Sequence, residues 1–382
     1  MIPSFLDYET LRLIWWLFLG VLLIGFAIMD GFDLGVGTLL PFIGRTDSER
    51  RVMINSIGPV WEGNQVWLIL GGGAIFAAFP AIYSAAFSGF YIAMFLTLVG
   101  LIMRPVGFDY RNKVSDPLWR TCWDWALFVG GFVPSLIFGV TFGNLLQGVP
   151  FRLDDTLRVY YEGSFFGLLN PLGLLCGVLS VTMLAAQGAA YLNIKTEGVL
   201  QQRARTVGRI MTLVALALFI LAGLWVASGV QGYAISSPVV GDGPSNPLLK
   251  TVVRETGSWM ANYGKYPWMI AVPLVGIFAA LAAALLVSVS PGIAFIANSL
   301  FIASVVATCG VSMFPFLMPS SLDPASSLTA YDATSSAFTL FVMLIATLIF
   351  LPIILAYTSF VFRVLRGKVT AEYVARNSKS LY

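Results

Sequence analysis

The chain of 382 residues contains no histidine. Haem iron and most transition metals in proteins are usually held by imidazole, so this chain is a poor candidate for carrying a redox centre of its own. Charge is also scarce. Only 11% of residues are charged while 58% are hydrophobic, against about 25% charged in a soluble domain. A water-soluble globule is thereby excluded, and a polytopic all-α membrane protein is the class that remains. The three cysteines, Cys122, Cys176 and Cys309, lack CxxC spacing, which excludes a zinc site or disulfide framework and leaves core packing as their expected role. No basic patch of the size nucleic acid requires is present. The opening residues have neither a basic stretch nor a small-residue cleavage site, so the first apolar run is expected to stay in the mature protein.

What the chain does have is long apolar runs. A crossing helix needs about 20 mostly apolar residues, and nine runs qualify: 11–42, 53–79, 84–107, 125–148, 165–193, 208–231, 267–289, 292–317 and 336–363. They form a single integral membrane domain. The first exceeds one crossing, so a tilt or a break near its glycines is expected. Only Ser290, Pro291 and Gly292 part the seventh from the eighth, which leaves one bent re-entrant unit open as an alternative. With the N-terminus outside, sixteen Lys and Arg fall on the cytoplasmic side and six on the other. That bias predicts N-out, C-in, and an odd number of spans. The longest connection, 232–266, then lies on the outer face as an ordered cap or docking loop, and Asp332 with Ser335 is expected to cap the last helix.

Against this background three carboxyls stand out. Asp30 and Asp33 lie three apart on one helical face, within a stretch whose Gly31 and Gly35 form a GxxxG that admits a close neighbour. Glu62 follows Trp61 at the start of the second run. At about 1.5 Å per residue, Asp33 and Glu62 come to similar depths, so the three acids are expected to meet at one level. Buried carboxyls that cannot all ionise exchange protons, and Asn64, Gln65, Ser56 and Asn55 are placed to hold water between them. This makes a proton path open to the cytoplasm. The plainer reading has either aspartate bonded to backbone at a break in span one, with Glu62 capping a helix that Pro59 restarts. Elsewhere, Arg104 is expected to pair with Asp109, Asn144 and Gln147 to meet a partner or each other, and Gly71 to Gly73 to serve close helix packing.

Several motifs together resemble subunit II of the cytochrome bd-type quinol oxidases. They include Asp7-Tyr-Glu-Thr-Leu-Arg12 with Trp15-Trp16, Asp30-Gly-Phe-Asp33, Trp61-Glu-Gly-Asn-Gln-Val-Trp67, Arg104-Pro-Val-Gly-Phe-Asp-Tyr-Arg111, Phe142-Gly-Asn-Leu-Leu-Gln-Gly-Val-Pro150, Met318-Pro-Ser-Ser321 and the closing Leu381-Tyr382. The resemblance implies nine spans, as two four-helix bundles plus a peripheral helix, in a bacterial inner membrane. It implies pairing with a subunit I that carries haem b and haem d and takes quinol as substrate. Small single-span accessory subunits, lipid and quinone are further partners to expect. This chain would ligate no haem and hold no catalytic residue. Its part would be a cytoplasmic proton path to the haem site, helping to build a proton-motive force as oxygen is reduced to water, with Glu62 at the family's acidic position and Asp33 at another. Relatives often carry Asp where Glu62 stands and His where Val60 stands, so a relay through imidazole is excluded here. A proton-coupled secondary transporter and a purely structural scaffold are the competing readings.

Overall fold

The computed structural model describes residues 6–377 and 381–382. Lys379, counted above among the cytoplasmic charges, and the five opening residues lie outside that range. Among the described residues the chain forms helices α1 (Tyr8–Ile43), α2 (Asp47–Ile57), α3 (Trp61–Ala78), α4 (Pro80–Gly89), α5 (Tyr91–Tyr110), α6 (Pro117–Gln147), α7 (Pro171–Lys195), α8 (Gly198–Gly229), α9 (Ala261–Lys265), α10 (Ala271–Leu286), α11 (Pro291–Met313), α12 (Ala337–Val364) and α13 (Ala371–Arg376). Strands β1 (Phe151–Leu153), β2 (Val159–Tyr161), β3 (Gln231–Ile235), β4 (Val252–Thr256), β5 (Phe316–Met318) and β6 (Leu328–Thr329) pair as three antiparallel ribbons in the connections.

Eight described helices are long and apolar enough to cross a membrane, and the bent pair α3 and α4, whose axes meet at 119°, makes a ninth unit. The bend corrects the expected second and third spans. Residues 53–57 belong to α2, which opens on a Thr46–Glu49 capping box, and residues 84–89 belong to α4. Pro59 falls in the break between α2 and α3. The first span is continuous: α1 runs 36 residues, about 54 Å, and outruns a hydrocarbon core of about 30 Å instead of breaking within it. The fifth and eighth spans are also trimmed. Asn170 caps α7 just before Pro171, and residues 316–318 are strand. α10 and α11 pack along each other as two separate helices, not as a re-entrant unit.

The long helices divide into two groups of four with one outlier. α1 packs on α3 and α6, and α5 on α6; α7, α8, α10 and α11 pack in sequence around the second group. Among the described residues α12 packs mainly on the edge formed by α1 and α3, and most of its surface faces outward. The groups meet along α7, which α6 and α1 both cross closely. A Cβ on Gly35 would sit 2.0 Å from the Leu184 carbonyl oxygen, and one on Gly188 would be 2.5 Å from the Gly35 backbone. Such contact lets two backbones touch where lipid offers no hydrophobic drive between helices.

Connections gather at two ends. At one, Arg203 bonds Glu49 at 2.9 Å, α13 packs on α2, and Val369 N–H reaches the Lys195 carbonyl. The positive-inside rule places this basic end in the cytoplasm. At the other, Arg12, fully buried, donates to the carbonyls of Gly241 and Gly243 and to the hydroxyls of Ser245 and Thr334, tying the 232–266 connection to α1. Lys250 pairs with Asp332 at 2.8 Å in the same cap. Asp332 is therefore spent on that pair, and Ser336, not Asp332 or Ser335, caps α12. Cys122 is exposed, contrary to the packing expected of it, while Cys176 is buried.

Gly35→Ala is expected to push α1 off α7 and cost about 1–3 kcal/mol, seen as a lower thermal midpoint. Gly20→Ala, where a Cβ meets nothing within 4 Å, should leave the midpoint in place.

Candidate functional site

The site grows from one buried ion pair. On α1, Asp30 is fully buried, and Arg104 of α5 grips it with both guanidinium nitrogens at 2.7 and 2.9 Å. Two ions taken out of water are tolerable only at such close bidentate geometry. Arg104 thus does not pair with Asp109, which is exposed. Nor does either aspartate bond to backbone at a helix break, since α1 is unbroken.

One turn further along α1 sits Asp33, 1% exposed. Its Oδ2 accepts from Asn64 Nδ2 of α3 at 2.8 Å and lies 4.0 Å from Arg104. Its Oδ1 has no hydrogen-bond partner among the described residues. Beside it is a cavity of about 10 Å³ lined by Asp33, Ile54, Ile57, Arg104, Phe108 and Leu127, among others. That is about the room one water needs, in a wall that is mostly apolar and in which Asp33 and Arg104 are the ionic residues. The cluster holds two acids against one cation, so a single added proton makes it neutral. Asp33 lies ten residues before the end of α1, about 15 Å from that end.

The remaining expected residues fall into two sets around α3. Trp61 and Asn64 are buried, and the Trp61 ring lies 5.7 Å from the Arg104 guanidinium. Ser56 is buried but its hydroxyl is spent on the Met53 carbonyl. Glu62 does not join the aspartates: it is exposed, while Gln65 is half-buried. Two residues apart on a helix, Glu62 and Asn64 face opposite ways, so the expected meeting of three carboxyls does not occur. Glu62 instead heads an exposed stripe continued by Val66, Ile69, Gly73 and Phe76. A Cβ on any of Gly71 to Gly73 would meet nothing within 4 Å among the described residues, and of the three Gly71 is buried and Gly73 exposed, so no close helix approach within the described chain requires them. The α3 N-terminus carries no side-chain cap, and its unbonded N–H groups favour negative charge on the first turn.

The break that starts α3 there is held from the basic end. Asp124, 1% exposed, accepts from Arg111 at 2.6 Å and Arg50 at 2.8 Å, and Arg111 also reaches Asp47 at 2.9 Å, clamping α2 onto α5 and α6. Tyr191 of α7, unremarked in the sequence, stacks on Phe32 at 4.1 Å and donates to the Ser56 carbonyl at 3.1 Å. Asn144 and Gln147 are satisfied within the chain by Asn170. The signal for the Arg104 pairing lay in the charges: two acids inside one apolar run call for a cation inside another.

These residues do not fit a haem. The cavity beside Asp33 holds about one water, and no group of three or more His, Cys, Asp or Glu is placed for a metal among the described residues.

Comparison with known proteins gives a consistent result. The family model for cytochrome bd terminal oxidase subunit II matches residues 11–365. The cytochrome bd-I ubiquinol oxidase subunit 2 of Escherichia coli (strain K12) is 53% identical over 378 residues, 99% of this chain and 100% of that one. The cytochrome bd ubiquinol oxidase subunit 2 of Bacillus subtilis (strain 168) is 34% identical, over 94% of this chain and 97% of that one. Among solved structures, a chain of the bd oxidase from Geobacillus thermodenitrificans has the same fold, with a TM-score of 0.69 at 18% identity over 93% of this chain and 98% of that one.

Arg104→Met should strand Asp30 without a counter-charge and cost about 3–5 kcal/mol. Adding Asp30→Leu in the same chain should restore much of the loss, which a double-mutant cycle of thermal midpoints would measure.

Proposed function

The chain belongs to the cytochrome bd terminal oxidase subunit II family, and from that premise we propose that it conducts protons from the cytoplasmic side toward a haem-bearing subunit I. It is a multi-pass subunit of a bacterial terminal quinol oxidase. The partner's haems would supply the reduction of oxygen, and this chain's part is proton supply. Substrate protons drawn from the cytoplasm, with quinol protons released outside, would contribute to a proton-motive force.

The observation that carries the reading is the free oxygen of Asp33. Arg104 holds Asp30 and Asn64 holds one oxygen of Asp33, which leaves Oδ1 buried without a hydrogen bond on a residue that lines the small cavity. A proton reaching that oxygen neutralises the cluster, and its departure restores the charge. Glu62, on the outward side of the same helix, is a carboxylate at membrane depth amid an apolar stripe. Such a group is costly against lipid and calls for a protein surface. The stripe, with open glycines that let a helix come close, is the surface we assign to subunit I, and Glu62 is the group that passes the proton to it. Ser56 and Gln65 line the approach without titrating.

The purified complex tests this. Asp33→Asn and Glu62→Gln should each slow oxygen consumption by at least about tenfold, with haem content and quinol binding retained. Wild-type turnover in either variant removes that residue from the path.

A further inference from the structure

The wall between the Asp33 cavity and the basic end has two layers. The inner one is Ile54, Ile57 and Phe108, which line the cavity itself. Phe108 carries two rings, the buried one of Trp61 at 5.2 Å and, as the outer layer, the half-buried one of Tyr382 at 5.5 Å. The Tyr382 ring lies in a slot over Gly58, where a Cβ would come within 2.5 Å of the ring, so glycine is what admits it. The backbone is held chiefly by Asn55. Asn55, 4% exposed, donates from Nδ2 to the Tyr382 carbonyl at 2.6 Å and accepts the Tyr382 N–H at 3.0 Å, pairing with both main-chain groups as a strand would. Arg51 Nε stands 3.4 Å from the same carbonyl.

We propose that Leu381 and Tyr382 form a releasable lid over the cytoplasmic mouth of the Asp33 cavity. The inference rests on the proton-path reading for what the cavity conducts, and on this geometry for what covers it. The energetics favour release over permanent closure. Asn55 Nδ2 keeps a second acceptor, the Arg51 carbonyl at 2.8 Å, when Tyr382 leaves. Asn55 Oδ1 and the Tyr382 main chain then meet water, which replaces those hydrogen bonds at small net cost. The Arg104–Asp30 pair behind the wall has no such substitute. Meanwhile α13, with Val374 buried against the α2 cluster, keeps the tail tethered beside its slot, so reclosing is local. Lid opening exposes Phe108 and the α2–α3 break, and the cavity behind them becomes reachable by water from the basic end.

The test reads access in the assembled complex. A thiol is introduced by Ile57→Cys, and its reaction with a charged, water-soluble maleimide is followed by mass spectrometry, with exposed Cys122 as the internal reference. Asn55→Ala and Gly58→Ala should each speed labelling of the introduced thiol by about tenfold, whereas Tyr382→Phe should leave the rate unchanged. Cys122 labelling should not move in any of them. Equal rates at position 57 in all variants overturn the lid, as does acceleration that Cys122 shares, which would mean that α2 has come loose. Labelling does not depend on turnover. If Asp33→Asn and Glu62→Gln retain full oxygen consumption while the labelling pattern holds, the path falls and the lid stands.

Discussion

A guanidinium laid flat against a carboxylate in a medium with no water is the constraint on which this structure turns. Neither Arg104 nor Asp30 can be left alone there, because the desolvation of each is offset only by the other. Their bidentate contact therefore locks α5 to α1 in one register. With that register set, Asp33 comes round to face α3, and Asn64 arrives to meet it. One turn beyond Asp30 the bare backbone of Gly35 meets α7, so the rigid pair on one side of α1 and the tight crossing on the other hold the two helix groups together.

Within this frame the acids differ because their partners differ. Asp30 has both oxygens bound by a cation and serves to hold the helices. Asp33 has one oxygen fixed by Asn64 and one buried without a hydrogen bond, which is why the proposed proton path runs through it. Glu62, a short way along α3, is turned to the outside, where a companion chain of the oxidase would cover it. The break before Trp61 is what separates the inward from the outward set. It ends α2 and starts a new helix with no side-chain cap, on which Glu62 and Asn64, two residues apart, face opposite ways.

Much of this was legible in the residues themselves. The scarcity of charge and the nine apolar runs point to an all-α membrane subunit, and the ordered motifs from Asp7 to Tyr382 point to its family. The GxxxG at Gly31 and Gly35 announced a close crossing without naming α7 as the helix crossed. The acids within the apolar runs marked where chemistry was to be sought. What went astray did so for a physical reason. Hydropathy registers how apolar a stretch is but not where its axis turns, so the breaks at Pro59 and Phe90 were read through, and glycines in α1 suggested a break that its packing does not need.

Partnership is the other thing that one-dimensional order leaves open. Arg104 and Asp109 are near in sequence, yet the buried charge of Asp30 outbids an exposed carboxylate, because the gain from pairing rises as the dielectric falls. The opposed directions of Glu62 and Asn64, and the return of Tyr382 to Asn55 across 327 positions, likewise arise only when the helices are assembled. Composition and periodicity decide that these segments enter the membrane as helices, since the backbone must bond internally there. Which buried charges meet, which acid keeps a free oxygen and which one faces outward is decided by helix packing, because those outcomes depend on distances that no local stretch of chain contains.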